Sequence, residues 1–116
     1  AEAKAVSEYA RHVAHQEPYL IVGDFNSAPS TPVYRLLTED AKLGGAQELL
    51  KLIDPSRPDS FSTAGFMRLR MHLDHVFGSR FEFADMRDTH AFGDLTSPFH
   101  GLSDHVPLIT TCEPTR

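Results

Sequence analysis

Tyr19-Leu20-Ile21-Val22-Gly23-Asp24-Phe25-Asn26 is the stretch from which the rest of the chain can be read. A short, continuous apolar run rich in branched side chains and halted by glycine fits a strand buried on both faces. Asp24, Asn26 and Ser27 follow at once, so the strand carries a carboxylate and a carboxamide to its end. Taken alone, an Asp in that place is often only a turn former whose carboxylate accepts backbone N–H bonds.

Upstream, Val6, Tyr9, Ala10 and Val13 recur at helical spacing among Lys4, Glu8, Arg11 and His12, an amphipathic helix over Ala3 to His15 that Pro18 ends. Downstream, Thr31 before Pro32 reads as an N-cap with proline at the first helical position, and Gly44 and Gly45 close that segment. A second short helix covers Ala46 to Leu52, and Asp54 to Gly65 reads as loop. Met67, Leu69, Met71 and Leu73 then alternate with Arg68, Arg70, His72 and Asp74, the period of a strand with one dry and one polar face. Val76 and Phe77 extend it, and a turn at Gly78 and Ser79 predicts an antiparallel hairpin to Phe81 and Phe83. The long 88–103 segment reads as a functional loop, and a last strand spans Val106 to Cys112.

Composition bounds what these elements build. A chain of 116 residues, 41% hydrophobic and 23% charged, supports one modest core and no large cleft of its own. Sixteen acidic against eleven basic residues leave a net charge of −5, which lends no support to strong non-specific attraction to polyphosphate. The lone Cys112 excludes an internal disulfide and a cysteine zinc site. No apolar run approaches the roughly 20 residues that span a bilayer. The expectation is a soluble protein, with the balance toward the cytoplasm.

Three polar clusters lie at predicted strand edges, where a fixed backbone lets side chains converge. They are Gly23-Asp24-Phe25-Asn26, Leu73-Asp74-His75-Val76-Phe77 and Ser103-Asp104-His105. In this order and approximate spacing, from about Tyr19 to Leu108, they resemble the C-terminal half of the endonuclease/exonuclease/phosphatase (DNase I-like) superfamily. That superfamily includes nucleases, abasic-site endonucleases, neutral sphingomyelinases and inositol polyphosphate phosphatases. The resemblance implies an α/β (α+β) fold: residues 1–116 would form half of a four-layer αββα sandwich, a mixed, mainly antiparallel sheet with flanking helices. It also implies hydrolysis of a phosphodiester or phosphomonoester with Mg²⁺, or Mn²⁺, as cofactor. Carried over by position, Asp24 would orient or deprotonate the attacking water and share in the metal site, and Asn26 would bond that water or a phosphate oxygen. His105 would meet the scissile phosphate, Asp74 would bond the other ring nitrogen of His105, and Asp104 would serve the metal.

The residue types suit that chemistry independently. A phosphate ester repels anionic nucleophiles, so a hard cation held by carboxylate oxygen is needed to neutralise charge and acidify a bound water. An Asp behind a His fixes its tautomer and favours the imidazolium that can donate to phosphate. Arg68 and Arg70, on the predicted face of Asp74, are more simply exposed charges than phosphate contacts. Phe92 to His100 places two aromatics beside the presumed site, either to stack on substrate or to pack beneath the loop.

The resemblance also calls for an Asn and a metal-binding Glu from an N-terminal half, and neither has a counterpart here. Gln16-Glu17 precedes the strand that leads to Gly23, whereas the family's Gln-Glu ends a separate strand far upstream, so Glu17 is not that ligand. The expectation is the C-terminal portion of a longer enzyme whose missing N-terminal half is its first partner, a phosphate ester its substrate, and a homodimer its resort when alone. Two rivals remain: a non-catalytic binding or scaffold module of the same fold, and a zinc hydrolase using His72, Asp74, His75 and His105. On a regular strand, His72 and Asp74 would face away from His75, which disfavours the second. His12, His15, His90 and His100 read as helix-surface or loop residues.

Overall fold

β5 (Asp74–Ser79) is the strand around which the chain is arranged, and its inner four residues are buried. The computed structural model describes residues 2–54, 56, 61–66, 69–88 and 103–115. β1 (Tyr19–Asp24) runs antiparallel along one edge of β5, in register from Tyr19 opposite Ser79 to Asp24 opposite Asp74. On the other edge, β2 (Gly44–Gly45) sets Gly44 opposite Gly78 and Gly45 opposite Phe77. Neighbouring residues of a strand point to opposite faces, so β5 feeds two clusters at once. Phe77 packs with Tyr34, Leu37, Leu43 and Ile53 on the helical side. Val76 packs with Ala46 and Met86 on the other.

The helical side consists of α1 (Glu2–Ala14) and α2 (Pro32–Arg35), which runs on as a π-helical turn, Leu36–Asp40. Thr31 caps α2 as its sequence predicts, accepting from Tyr34 N–H at 3.4 Å. α3 (Ala46–Leu49) follows β2 directly. Beyond it come two ribbons: β3 (Ala64–Phe66) with β4 (Leu69–Met71), and β6 (Phe81–Asp88) with β7 (Leu108–Pro114). Met86 of β6 lies against Val76 and Ala46, so the second ribbon backs the central sheet. The architecture is mixed α/β, with small antiparallel sheets and flanking helices.

Several local expectations change. β1 is not the strand buried on both faces; it alternates half-buried with exposed, and Val22 is 61% exposed. Helix α1 exists, yet Val6, Tyr9 and Val13 face outward at 47%, 71% and 55% exposure. It turns its small side inward, burying Ser7 and half-burying Ala3, Ala10 and Ala14, because small residues let a helix approach a sheet closely. Gly44 and Gly45 form a strand rather than a helix stop. The hairpin from β5 to β6 does not form. At the end of β5 where that turn would begin, both edges are already taken, by β1 and by the two residues of β2, and the chain leaves through Arg80, at φ +59°, to pair β6 with β7.

The long alternating strand through residues 67–77 is also broken. β4 and β5 are separated by His72 and Leu73, both buried, and belong to different sheets. Met67, Arg68 and the 89–102 segment, with Phe92, His90 and His100, lie outside the described residues. Among the described residues no helix is long and apolar enough to cross a membrane.

Candidate active site

Asp24 and Asp74 stand directly opposite one another at the same end of the β1–β5 ladder, which places both side chains on one face. Gly23 precedes Asp24 at φ +144°, a backbone conformation open to glycine and strained for a side-chain-bearing residue. The chain then reverses in an Asx-turn: Asp24 Oδ1 accepts from Asn26 N–H at 2.8 Å, and Asn26 takes the left-handed φ of +49° that Asn tolerates. Phe25 anchors the turn edge-on against Phe77, with ring centroids 5.1 Å apart. Turn forming and site building are thus divided between the two oxygens of one carboxylate.

The third contributor arrives from far along the chain. Ser103 Oγ accepts from His105 N–H at 3.0 Å, Gly65 N–H donates to Asp104 O at 2.7 Å, and Val106 N–H donates to Thr63 O at 2.8 Å. These bonds stitch the segment to β3 and aim the imidazole at the two carboxylates. His105 Nδ1 donates to Asp74 Oδ2 at 2.7 Å. Its Nε2 lies 3.6 Å from Asp24 Oδ2 and 3.9 Å from Asp104 Oδ1. Since a carboxylate only accepts, the Asp74 bond puts a proton on Nδ1. Partial burial pulls the His105 pKa down, but the hydrogen bond and charge of Asp74, joined by the charges of Asp24 and Asp104, outweigh it and hold the ring above its ordinary value.

Asp24, Asp74 and His105 offer ligand atoms that all lie within 4.8 Å of one another. Asp104 reaches the group only through Nε2 of His105 and remains exposed. Asn26 stands beside Asp24 with its side chain in solvent, and the contact it makes there is its backbone N–H. Glu17 lies beyond the opposite end of the six-residue β1, roughly 20 Å away at about 3.3 Å per residue, consistent with its rejection as a ligand. Arg70 folds back to donate to Leu69 O at 2.9 Å.

The expected facing of His72 and His75 is corrected by the strand break. His72 and His75 do not face opposite ways; their rings stack at 4.5 Å and 17° inside the core. His75 Nε2 is tied to Ser27 O at 2.7 Å, and burial holds its pKa below the ordinary histidine value despite the Ser27 bond and the nearby charges of Asp74 and Asp24. The cluster of ligand atoms unites Asp74 and His105 with Asp24, not with His72 and His75. Two buried polar residues escape the sequence reading, Gln47 at 2% exposure and Thr63 at 0%. No local pattern marks either, because a Gln on a short helix and a Thr in a loop become informative only through distant backbone partners.

A profile of the endonuclease/exonuclease/phosphatase family matches residues 4–105. The chain belongs to the endonuclease/exonuclease/phosphatase family. The three clusters therefore sit within a family match that covers most of the sequence. No curated protein matches the chain significantly by sequence. Among solved structures, the human Nocturnin catalytic domain, determined with bound sulfate anion, superposes with a TM-score of 0.73 at 23% identity. The superposition covers 99% of this chain and 40% of that one, so the family fold is present here in part.

Proposed function

We propose that this chain carries part of the reaction centre of a divalent-metal-dependent phosphoesterase, and that alone it turns over poorly. The observation that carries the reading is the meeting of Asp24, Asp74 and His105, with Asp74 on Nδ1 and the other ring nitrogen turned toward Asp24. An imidazole held this way has one nitrogen fixed and the other available as a donor to a phosphate oxygen.

The donor set suits a hard cation. Asp24 and Asp104 bear exposed carboxylates, at 48% and 69%, whereas Asp74 Oδ2 is committed to His105. One or two carboxylates with room for retained water is the environment that Mg²⁺ prefers, and Mn²⁺ accepts the same oxygens. When bound, the cation would neutralise phosphate charge and acidify a water. Asp24 would orient the attacking water and take its proton as the water oxygen bonds to phosphorus; the ester P–O bond breaks, and the leaving oxygen takes a proton from solvent. His105 would hold the charge developing on the phosphoryl oxygens, kept in register by Asp74, and Asn26 would offer a neutral donor beside Asp24.

The test is a screen of the intact parent protein with Mg²⁺ against DNA, RNA, phospholipid head groups and small phosphate esters. Asp24→Asn and His105→Ala should each lower turnover of the best substrate by about 10²-fold or more without loss of fold, the scale of a removed acid–base group. Near-normal rates in either variant overturn the role assignment.

A further inference from the structure

Asp74 begins a strand whose second edge is only partly filled. β2 pairs with β5 at two positions, Gly44 with Gly78 and Gly45 with Phe77, and the chain then turns into α3. From Val76 back to Asp74, buried side chains take over the bonds that a neighbouring strand would make, and one of them also holds Leu73, the residue just before β5. Gln47 Nε2 donates to Asp74 O at 2.9 Å, and its Oε1 accepts from Val76 N–H at 3.4 Å. Thr63 Oγ1 accepts from both Leu73 N–H and Asp74 N–H at 3.0 Å. The carboxamide therefore behaves as a peptide group borrowed from a helix, and both polar groups of the Asp74 backbone are held by side chains.

Thr63 also reaches the other half of the pair. Its carbonyl accepts from Val106 N–H at 2.8 Å, and the next residue, Ala64, bridges to His105. One fully buried residue thus bonds the backbone of Asp74 through its hydroxyl and the backbone beside His105 through its carbonyl. We infer that Thr63 and Gln47 are positioning residues, which suture the open edge of β5 and so set the Asp74 carboxylate on Nδ1 of His105. The suture would act on this geometry whatever the substrate, and only its effect on turnover rests on the function proposed above. Outer partners of this kind typically alter activity by about 10- to 100-fold when removed.

The experiment reads the ring rather than turnover. Long-range ¹H–¹⁵N spectra of this chain, taken where His105 is neutral, report which ring nitrogen carries the proton. Wild type and Thr63→Ser, which keeps the acceptor, should show the Nδ1–H tautomer. Thr63→Val and Gln47→Met, with native circular dichroism, should shift His105 toward Nε2–H. A folded Thr63→Val or Gln47→Met with unchanged His105 signals overturns the inference. Absence of the Nδ1–H tautomer in wild type overturns it too. If both variants unfold, these residues serve the fold at large and the inference falls. Shifted signals in a parent protein that hydrolyses no phosphate ester would leave the suture standing and remove the functional reading instead.

Discussion

His75, in β5, and His105, bonded to Asp74 at the start of that strand, respond to protons in opposite directions. Burial holds His75 below its ordinary value of 6.5, against the opposing Ser27 bond and the charges of Asp74 and Asp24. The stability this neutral ring contributes is present above about 6.5 and is lost as pH falls toward its depressed folded value, because the unfolded chain takes up the proton first. His105 is the reverse: although burial opposes it, Asp74, Asp24 and Asp104 raise its pKa above 6.5. Its contribution is complete below 6.5 and disappears as pH rises through the elevated folded value. Denaturant titrations across this range should therefore show a maximum near the ordinary histidine pKa. His105→Asn should flatten the alkaline limb and leave the acid limb in place. An unaltered alkaline limb in that variant would show that the carboxylates do not hold the ring as described.

At the scale of elements, β5 is the shared wall of two clusters, and Phe77, 1% exposed, is its largest contribution to the helical side. Phe77→Ala should cost about 3–5 kcal/mol, the range for a buried aromatic reduced to alanine. Since small domains are stable by only about 5–15 kcal/mol, urea denaturation should find this variant near the limit of folding. A loss below 1 kcal/mol would mean that β5 is not the strand on which both clusters depend. In the sequence, β1 rather than β5 looks central, and the reason is physical. Tyr19 to Val22 is the longer unbroken apolar run, but a run records hydrophobicity and not how many neighbours a strand has. The Thr31–Pro32 cap and the three polar clusters are legible because their signals are local. The absence of a β5–β6 hairpin is not, since turn residues at Gly78 and Ser79 say nothing of the strands that occupy both edges at that end of β5. The inward face of α1 is hidden for a related reason: periodicity locates an apolar stripe without saying whether the neighbouring sheet prefers bulk or close approach. The site's carboxylates and imidazole can be read from order and spacing, whereas Thr63 and Gln47 need the fold.

For the whole molecule, the decisive feature is apolar surface that the described elements do not cover. Val22 stands opposite Val76 in the β1–β5 ladder and therefore shares its face, yet Val76 is 8% exposed beneath the second ribbon and Val22 is 61% exposed. Leu20, on the same side of β1, is 37% exposed. Among the described residues the outer edge of β1 pairs with no strand. An apolar strand face beside an open edge is a template for association. If the chain is part of a longer domain, as proposed above, the remaining parts would cover this face; for the 116-residue chain by itself, a second copy is the expected substitute. Light scattering over a concentration series should accordingly show a mass above 12.9 kDa that falls on dilution. Leu20→Thr with Val22→Thr keeps strand propensity while removing most of the apolar area, and should shift the chain to monomer with unchanged circular dichroism. A wild-type chain that remains monomeric at the highest concentration would refute the uncovered-face argument, because among the described residues nothing else takes this surface out of water.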